Sequence, residues 1–306
     1  MTLREALSCA QKALTAQNIE DAPLESELLL RYALNISRVQ LYLDLNSELT
    51  AEQEAAYRQL VKRRLNHEPT VYITGQCEFY GLDFYVDSRV LIPRSGTELL
   101  VEEALKVARR RLTEKESHYL IAEVGVGSGI IAITLARHLP HAKIYATDIS
   151  TAALEVAAIN CRRHKVDSRV ALLAGDLLTA LPEPVDLIVA NLPYITEDEM
   201  KGLSPEIQLF EPRMALAGGK DGLDEIRRLC RQAKDRLYPR GNLLLEIGLG
   251  QSHAISSFLG GLYPAAVLQV VPDWNDIDRV ISLTLPPSRL RFNRSTNRVS
   301  RSVSRK

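Results

Sequence analysis

The sequence predicts an α/β protein: a doubly wound, seven-stranded sheet with helices on both faces, preceded by a small helical domain. Three observations predict it. From His118 onward seven short apolar runs alternate with helical stretches: LIAEVG, KIYATDI, RVALLAGD, VDLIVANLP, NLLLEIG, AVLQVVPD and RVISLTL. That alternation implies a parallel sheet covered on both sides. The first run passes through a glycine turn, Gly125 to Gly129, directly into the helical stretch IIAITLARHL. The first third of the chain carries a helical rhythm instead, with Leu3, Leu14, Leu28, Leu29, Tyr32, Leu41, Leu43, Tyr57, Leu60 and Leu65 recurring among charges.

The organisation follows from these patterns. Residues 1–70 form the helical domain, in which Thr50 to Gln53 carries a capping-box signature. Residues 71–92 change to short alternating runs, VYITG and then FYGLDFYV, punctuated by Gly75 and Gly81, and predict a small hairpin between the two domains. Residues 93–287 form the α/β domain. Residues 288–306 hold seven of the 38 basic residues and no acidic one, which leaves a net charge of −7 on the rest of a neutral chain. This tail reads as disordered and solvated rather than as a nucleic-acid contact.

With 306 residues the chain exceeds what one core usually serves, and 46% apolar residues supply a substantial interior. The equal counts of acidic and basic residues give no global pull toward nucleic acid or membrane. No run of about 20 apolar residues is present, and MTLREALSCAQKAL has neither the apolar stretch nor the cleavage site of a leader. Cys9, Cys77, Cys161 and Cys230 lack CxxC spacing and companion histidines, so they read as reduced, mostly buried thiols of a cytosolic protein, with no metal site. The six scattered histidines receive no role.

The chemistry concentrates after the strands, where open α/β sheets bind ligands. Glu123-Val124-Gly125-Val126-Gly127-Ser128-Gly129 joins strand to helix, letting a ligand approach the backbone and meet the N–H groups of a helix start. A nicotinamide site has GxGxxG; here Gly125, Gly127 and Gly129 make GxGxG, and Ile130 stands at the final glycine position. Asp148 ends the next strand, suitably placed to accept two ribose hydroxyls, and Asp176 with Leu177 ends the third, where an adenine can be held. Together they suit a nucleotide or an amino-acid-bearing nucleoside.

Asn191-Leu192-Pro193-Tyr194 follows the strand VDLIVA. NLPY resembles the (N/D)PP(Y/F) motif of methyltransferases that act on planar nitrogens, either amino groups of bases or glutamine amides. With EVGVGSG and Asp148 it implies the Rossmann-like class I methyltransferase fold and S-adenosylmethionine as cofactor. The segments LIPRSGTELLVEEAL, ITGQCEFYG, FEPRMALAGGKDGLDEIRRL and LLLEIGLGQ, with DRVISL near the end, are similar to the release factor glutamine methyltransferases over nearly everything before the tail.

This resemblance implies that a monomeric enzyme methylates N5 of the glutamine in the Gly-Gly-Gln loop of class 1 peptide chain release factors, with the helical domain recognising the protein substrate. It assigns Glu123, Gly125, Val126, Gly127, Ser128, Gly129, Asp148, Asp176, Leu177 and Asn191 to the cofactor. Asn191, Leu192, Pro193 and Tyr194 fall to the substrate amide. Asn191 and the Leu192 carbonyl accept its hydrogens, Pro193 stiffens the turn, and the Tyr194 ring packs on its plane. Two rivals share the motif: the enzyme that methylates a glutamine of a large-subunit ribosomal protein, and nucleic-acid amino methyltransferases. EPRMALAGGKDGL and LLLEIGLGQ lean to the release factor enzyme. Leu192 replaces the usual first proline, and Ser95-Gly96 replaces Pro-Asp or Pro-Glu, so slower turnover is expected rather than inactivity. Glu123 for the usual aspartate is a milder departure. Arg94, Thr97, Glu98 and Glu211 read equally as site residues or as an ion-pair network beneath the site.

Overall fold

The computed structural model describes residues 1–113 and 119–287; the basic tail at 288–306 lies outside the described residues. The chain opens with α1 (Leu3–Ala16), α2 (Ala22–Leu34), α3 (Arg38–Leu43), α4 (Ala51–Leu65) and the short α5 (Thr70–Thr74). Capping boxes start α1 at Thr2 and Glu5 and α4 at Thr50 and Gln53, each satisfying two otherwise unpaired N–H groups. Leu3, Leu29, Leu41, Tyr57 and Val61 share one buried core. Leu28 and Tyr32 of α2 keep the helical spacing yet face solvent, because α2 is apolar on more than one side and its neighbours cover only part of it; Leu43, at the end of α3, is exposed as well.

VYITG does not begin the hairpin. It is α5, entered after Pro69 and ended at Gly75. The hairpin itself is β1 (Cys77–Phe79) and β2 (Leu82–Phe84), with Phe79 opposite Leu82. Phe79 and Phe84 are buried in the core of the α/β unit, so the segment packs as part of that unit.

The remaining elements are α6 (Thr97–Thr113), β3 (Tyr119–Val124), α7 (Ile130–His138), β4 (Ala142–Asp148), α8 (Thr151–Arg163), β5 (Val170–Ala174), β6 (Val185–Ala190), α9 (Pro205–Phe210), α10 (Asp224–Ala233), β7 (Leu237–Glu246), α11 (Ser252–Leu262), β8 (Val267–Pro272) and β9 (Asp278–Thr284). All seven apolar runs are strands of one sheet, ordered β5-β4-β3-β6-β7-β9-β8. The expectation of a wholly parallel sheet needs one correction. β9 inserts between β7 and β8 and pairs antiparallel with both, since β8 and β9 are joined by a tight turn and a hairpin must reverse direction.

Alternate residues of the central strands feed two cores. Ile121, Ile144, Leu187 and Leu244 face α6, α7 and α8; Ala122, Ile188, Leu243 and Ile281 face α10 and α11. The strand order reverses between β3 and β6, and a crevice therefore opens at their carboxyl ends. Arg64 of α4, only 1% exposed, pairs with Glu25 of α2 and Glu206 of α9, which ties the helical layer to the rim of that crevice.

Candidate active site

The turn after β3 is fixed from both sides. Gly125 and Val126 donate backbone hydrogen bonds to the Thr147 carbonyl at 2.9 and 3.0 Å, and Gly127 donates to Asp148 Oδ2 at 2.9 Å. Asp148 Oδ1 accepts the Ser150 N–H at 2.9 Å. Each Asp148 oxygen thus keeps one acceptor site toward the crevice. Asn160 of α8 bridges the turn to the segment after the hairpin, its Nδ2 donating to the Ser128 and Tyr85 carbonyls, both at 2.8 Å.

Glu123 lies under the turn, 1% exposed. Its Oε2 accepts the Ala132 N–H of α7 at 2.8 Å, while Oε1 is buried without a partner among the described residues. Burial pushes its carboxyl well above the ordinary carboxylate range, and the Asp148 charge adds to the shift. Such a group favours a cationic neighbour.

A cavity of about 310 Å³ occupies the crevice. Among the residues expected at the site, Glu123, Gly125, Val126, Gly127, Ser128, Asp148, Asp176, Leu177, Asn191, Leu192 and Pro193 line it. Gly129 and Tyr194 do not. A side chain at Gly129 would come within 2.9 Å of Ile133 and 3.5 Å of Ala157, so this glycine serves the close packing of α7 on α8. Asp176 is engaged by an ion pair with Arg228, which also bonds Glu225 at 2.6 Å. Nothing in the local sequence signalled that Arg228 reaches the end of β5 from α10.

Asn191 stands just beyond β6. Its Nδ2 donates to Thr97 Oγ1 at the start of α6, at 3.0 Å, which leaves Oδ1 as the acceptor for an incoming donor. Leu192 is buried, with Cδ2 3.3 Å from where a Gly125 side chain would begin. Tyr194 stands beside the cavity with its hydroxyl 3.4 Å from Glu246 Oε1, and burial pushes its phenol up to about 12.

Two segments clamp this turn. The Gln251 amide donates to the Tyr194 carbonyl at 2.9 Å and accepts the Gly248 N–H at 2.8 Å. Ile195 donates to the Leu216 carbonyl and accepts from Gly218, at 3.0 and 2.9 Å. Gly222 has φ +75°, and a side chain there would meet the Tyr194 oxygen at 2.2 Å. The glycines of AGGKDG and the Gln of GLGQ therefore shape the backbone of NLPY, a link that no spacing in the sequence revealed.

The LIPRSGTE run divides. Leu91, Pro93, Arg94 and Thr97 line the cavity, whereas Ser95 and Gly96 are exposed outside it. Arg94 pairs with Glu211, whose other oxygen accepts the Ile92 N–H at 3.1 Å. Glu98 accepts the Tyr80 N–H at 2.9 Å. Of the four cysteines, all unpaired, Cys161 and Cys230 are buried, Cys77 is half-buried and Cys9 is exposed. Among the described residues no helix is long and apolar enough to cross a membrane.

Residues 5–75 match the family model described as the PrmC N-terminal domain, and residues 94–206 match the methyltransferase small domain. The release factor glutamine methyltransferase of Geobacter sulfurreducens is 41% identical over 92% of this chain and 95% of its own. That of Moorella thermoacetica is 44% identical over 91% of this chain and 97% of its own. The solved hMettl16 catalytic domain, 16% identical, aligns over 73% of this chain and 81% of its own with a TM-score of 0.52, which shows the shared fold alone. The chain belongs to the release factor glutamine methyltransferase family.

Proposed function

We propose that the protein transfers a methyl group from S-adenosylmethionine to the side-chain amide nitrogen of the glutamine in the Gly-Gly-Gln loop of class 1 release factors. The observation that carries this reading is the Asn191 amide. Its nitrogen is held inward by Thr97, and its oxygen is left as an acceptor beside the cavity. The relatives, release factor glutamine methyltransferases, supply the class of substrate.

The cavity fits the cofactor. The partnerless Glu123 Oε1 suits its ammonium group, the free acceptor sites of Asp148 suit the ribose hydroxyls, and Asp176 with Leu177 borders the space for adenine. When bound, the cofactor supplies a methyl group activated by its sulfonium. The protein's task is then to orient a poor nucleophile, because the amide lone pair is delocalised into its carbonyl. Asn191 Oδ1 and the Leu192 carbonyl accept the two amide hydrogens, which turns the lone pair toward the methyl. Pro193 stiffens the turn, and the glutamine enters past the Tyr194 ring, whose face favours developing positive charge. The methylated nitrogen is strongly acidic and loses its proton to water, so no general base is needed.

The helical layer, whose α2 exposes Leu24, Leu28 and Tyr32 at helical spacing, takes the protein substrate, in the cytosol and as a monomer. The test is mass spectrometry of a release factor's glutamine-loop peptide after incubation with enzyme and S-adenosylmethionine. One added methyl on that glutamine is expected, and Asn191→Ala should slow its appearance by roughly a hundredfold or more. An unmodified glutamine would redirect the search to ribosomal protein and then to nucleic acid; full turnover by Asn191→Ala would remove Asn191 from its role.

A further inference from the structure

Glu246 is a buried carboxylate that the chemistry above does not use. It ends β7, the neighbour of β6, and the register Ala190 to Leu245 sets it level with Asn191. It is 4% exposed and lies outside the cavity lining. Oε1 accepts from the Tyr194 hydroxyl at 3.4 Å, and Oε2 has no hydrogen-bond partner among the described residues. Thr97 and Asn191, joined by the bond from Asn191 Nδ2 to Thr97 Oγ1, both face this carboxylate and favour its charged form, and Thr97 has its hydroxyl hydrogen left to donate. The charged and titratable neighbours are Tyr194 from the turn after β6 and Arg279 from β9, which pairs with Asp273 at 3.0 Å; α6 contributes the neutral Thr97.

A carboxylate only accepts hydrogen bonds, whereas a carboxylic acid also donates one. Charged Glu246 draws the Thr97 hydroxyl hydrogen toward itself, so the Thr97 oxygen receives the Asn191 N–H and Asn191 Oδ1 turns outward. A protonated Glu246 donates to Thr97 instead, which releases the Thr97 hydrogen toward Asn191 and favours the flipped amide.

We propose that Glu246 is a positioning residue for methyl transfer: as a carboxylate it sets the direction of the Thr97 to Asn191 hydrogen-bond chain and thereby holds Asn191 Oδ1 toward the substrate amide. This rests on the reading that Asn191 accepts the substrate's hydrogens. Burial pushes the Glu246 carboxyl up to about 7, so the chain reverses within the range of ordinary assays.

The experiment is the pH profile of kcat at saturating cofactor and release factor for the wild type, Glu246→Gln, Thr97→Val and Asn191→Ala, with cofactor affinity from calorimetry. Wild-type kcat should rise with pH through about 7. Glu246→Gln should lose roughly tenfold or more in kcat and lose that acid limb, with cofactor affinity unchanged because the side chain does not border the cavity. Thr97→Val cuts the chain between Glu246 and Asn191 and should lower kcat and lose the acid limb as Glu246→Gln does. A Glu246→Gln enzyme with wild-type kcat and limb, beside an Asn191→Ala enzyme that is crippled, would overturn the role of Glu246 alone. Full activity of Asn191→Ala would overturn the reading beneath it as well. Should Glu246→Gln not fold, an unmoved limb in Thr97→Val refutes the proposal.

Discussion

Replacing Gly222 with alanine tests whether the glycine segment shapes the catalytic turn. At φ +75° a β-carbon would stand 2.2 Å from the Tyr194 oxygen and 2.5 Å from Gln251 Nε2. Ordinary contacts begin near about 3.5 Å, so the Tyr194 peptide must retreat by roughly 1 Å. The left-handed conformation costs about 1–2 kcal/mol for alanine, and losing the hydrogen bond from Gln251 to the Tyr194 carbonyl about 1 kcal/mol more. The expected destabilisation of roughly 2–3 kcal/mol lowers Tm by about 5–10 °C. Displacing the turn by about 1 Å should cost roughly a hundredfold in rate. Thermal unfolding gives the first quantity, and single-turnover transfer of labelled methyl to a release factor gives the second. Gly81→Ala is the control: φ is +70° but nothing lies within 4 Å, so it should lose stability and keep its rate. A Gly222→Ala enzyme with a wild-type rate would refute the claim that this glycine is needed for the geometry of Asn191 to Tyr194.

Two further predictions follow from buried side chains at the site. Glu246 holds a proton in the native state up to about pH 7, against 4.5 for an unfolded glutamate. Its contribution to stability is full below about 4.5 and is lost as pH rises to about 7, a span worth up to roughly 3 kcal/mol. Thermal unfolding of the unliganded protein from pH 5 to 8 should show this decline, reduced in Glu246→Gln; equal pH slopes for the two proteins would contradict it. Leu192→Pro should raise kcat a few-fold by preorganising the turn, while lowering stability by about 1–2 kcal/mol because it removes a leucine that is only 6% exposed. A fall in kcat would mean that Leu192 packing already holds the turn.

Much of the fold and part of the site were legible in the chain because they depend on neighbours in sequence. Apolar runs of strand length marked all seven strands of the sheet. The glycine turn, Asp148 and Asn191 each follow a strand directly, so their arrival in one crevice follows from the architecture itself. Strand direction was not legible at the end of the sheet, since an apolar run carries no sign of whether β9 enters beside β7 or beyond β8. VYITG looked like a strand because five residues are too few to separate the two periodicities.

The surroundings of Asn191 were decided only by tertiary structure. Thr97, Gly222 and the pair Glu246 and Gln251 come from three separate segments and act by converging on one turn. Arg228 likewise occupies Asp176 from a helix 52 residues further along the chain. By itself the sequence determined the sheet, the crevice and the acceptor beside it, because strand and turn propensities are local properties of the backbone. The tertiary structure decided how that acceptor is oriented and which carboxylates are buried beneath it. Burial, hydrogen-bond direction and the resulting protonation depend on atoms that only the packed fold brings within a few ångströms.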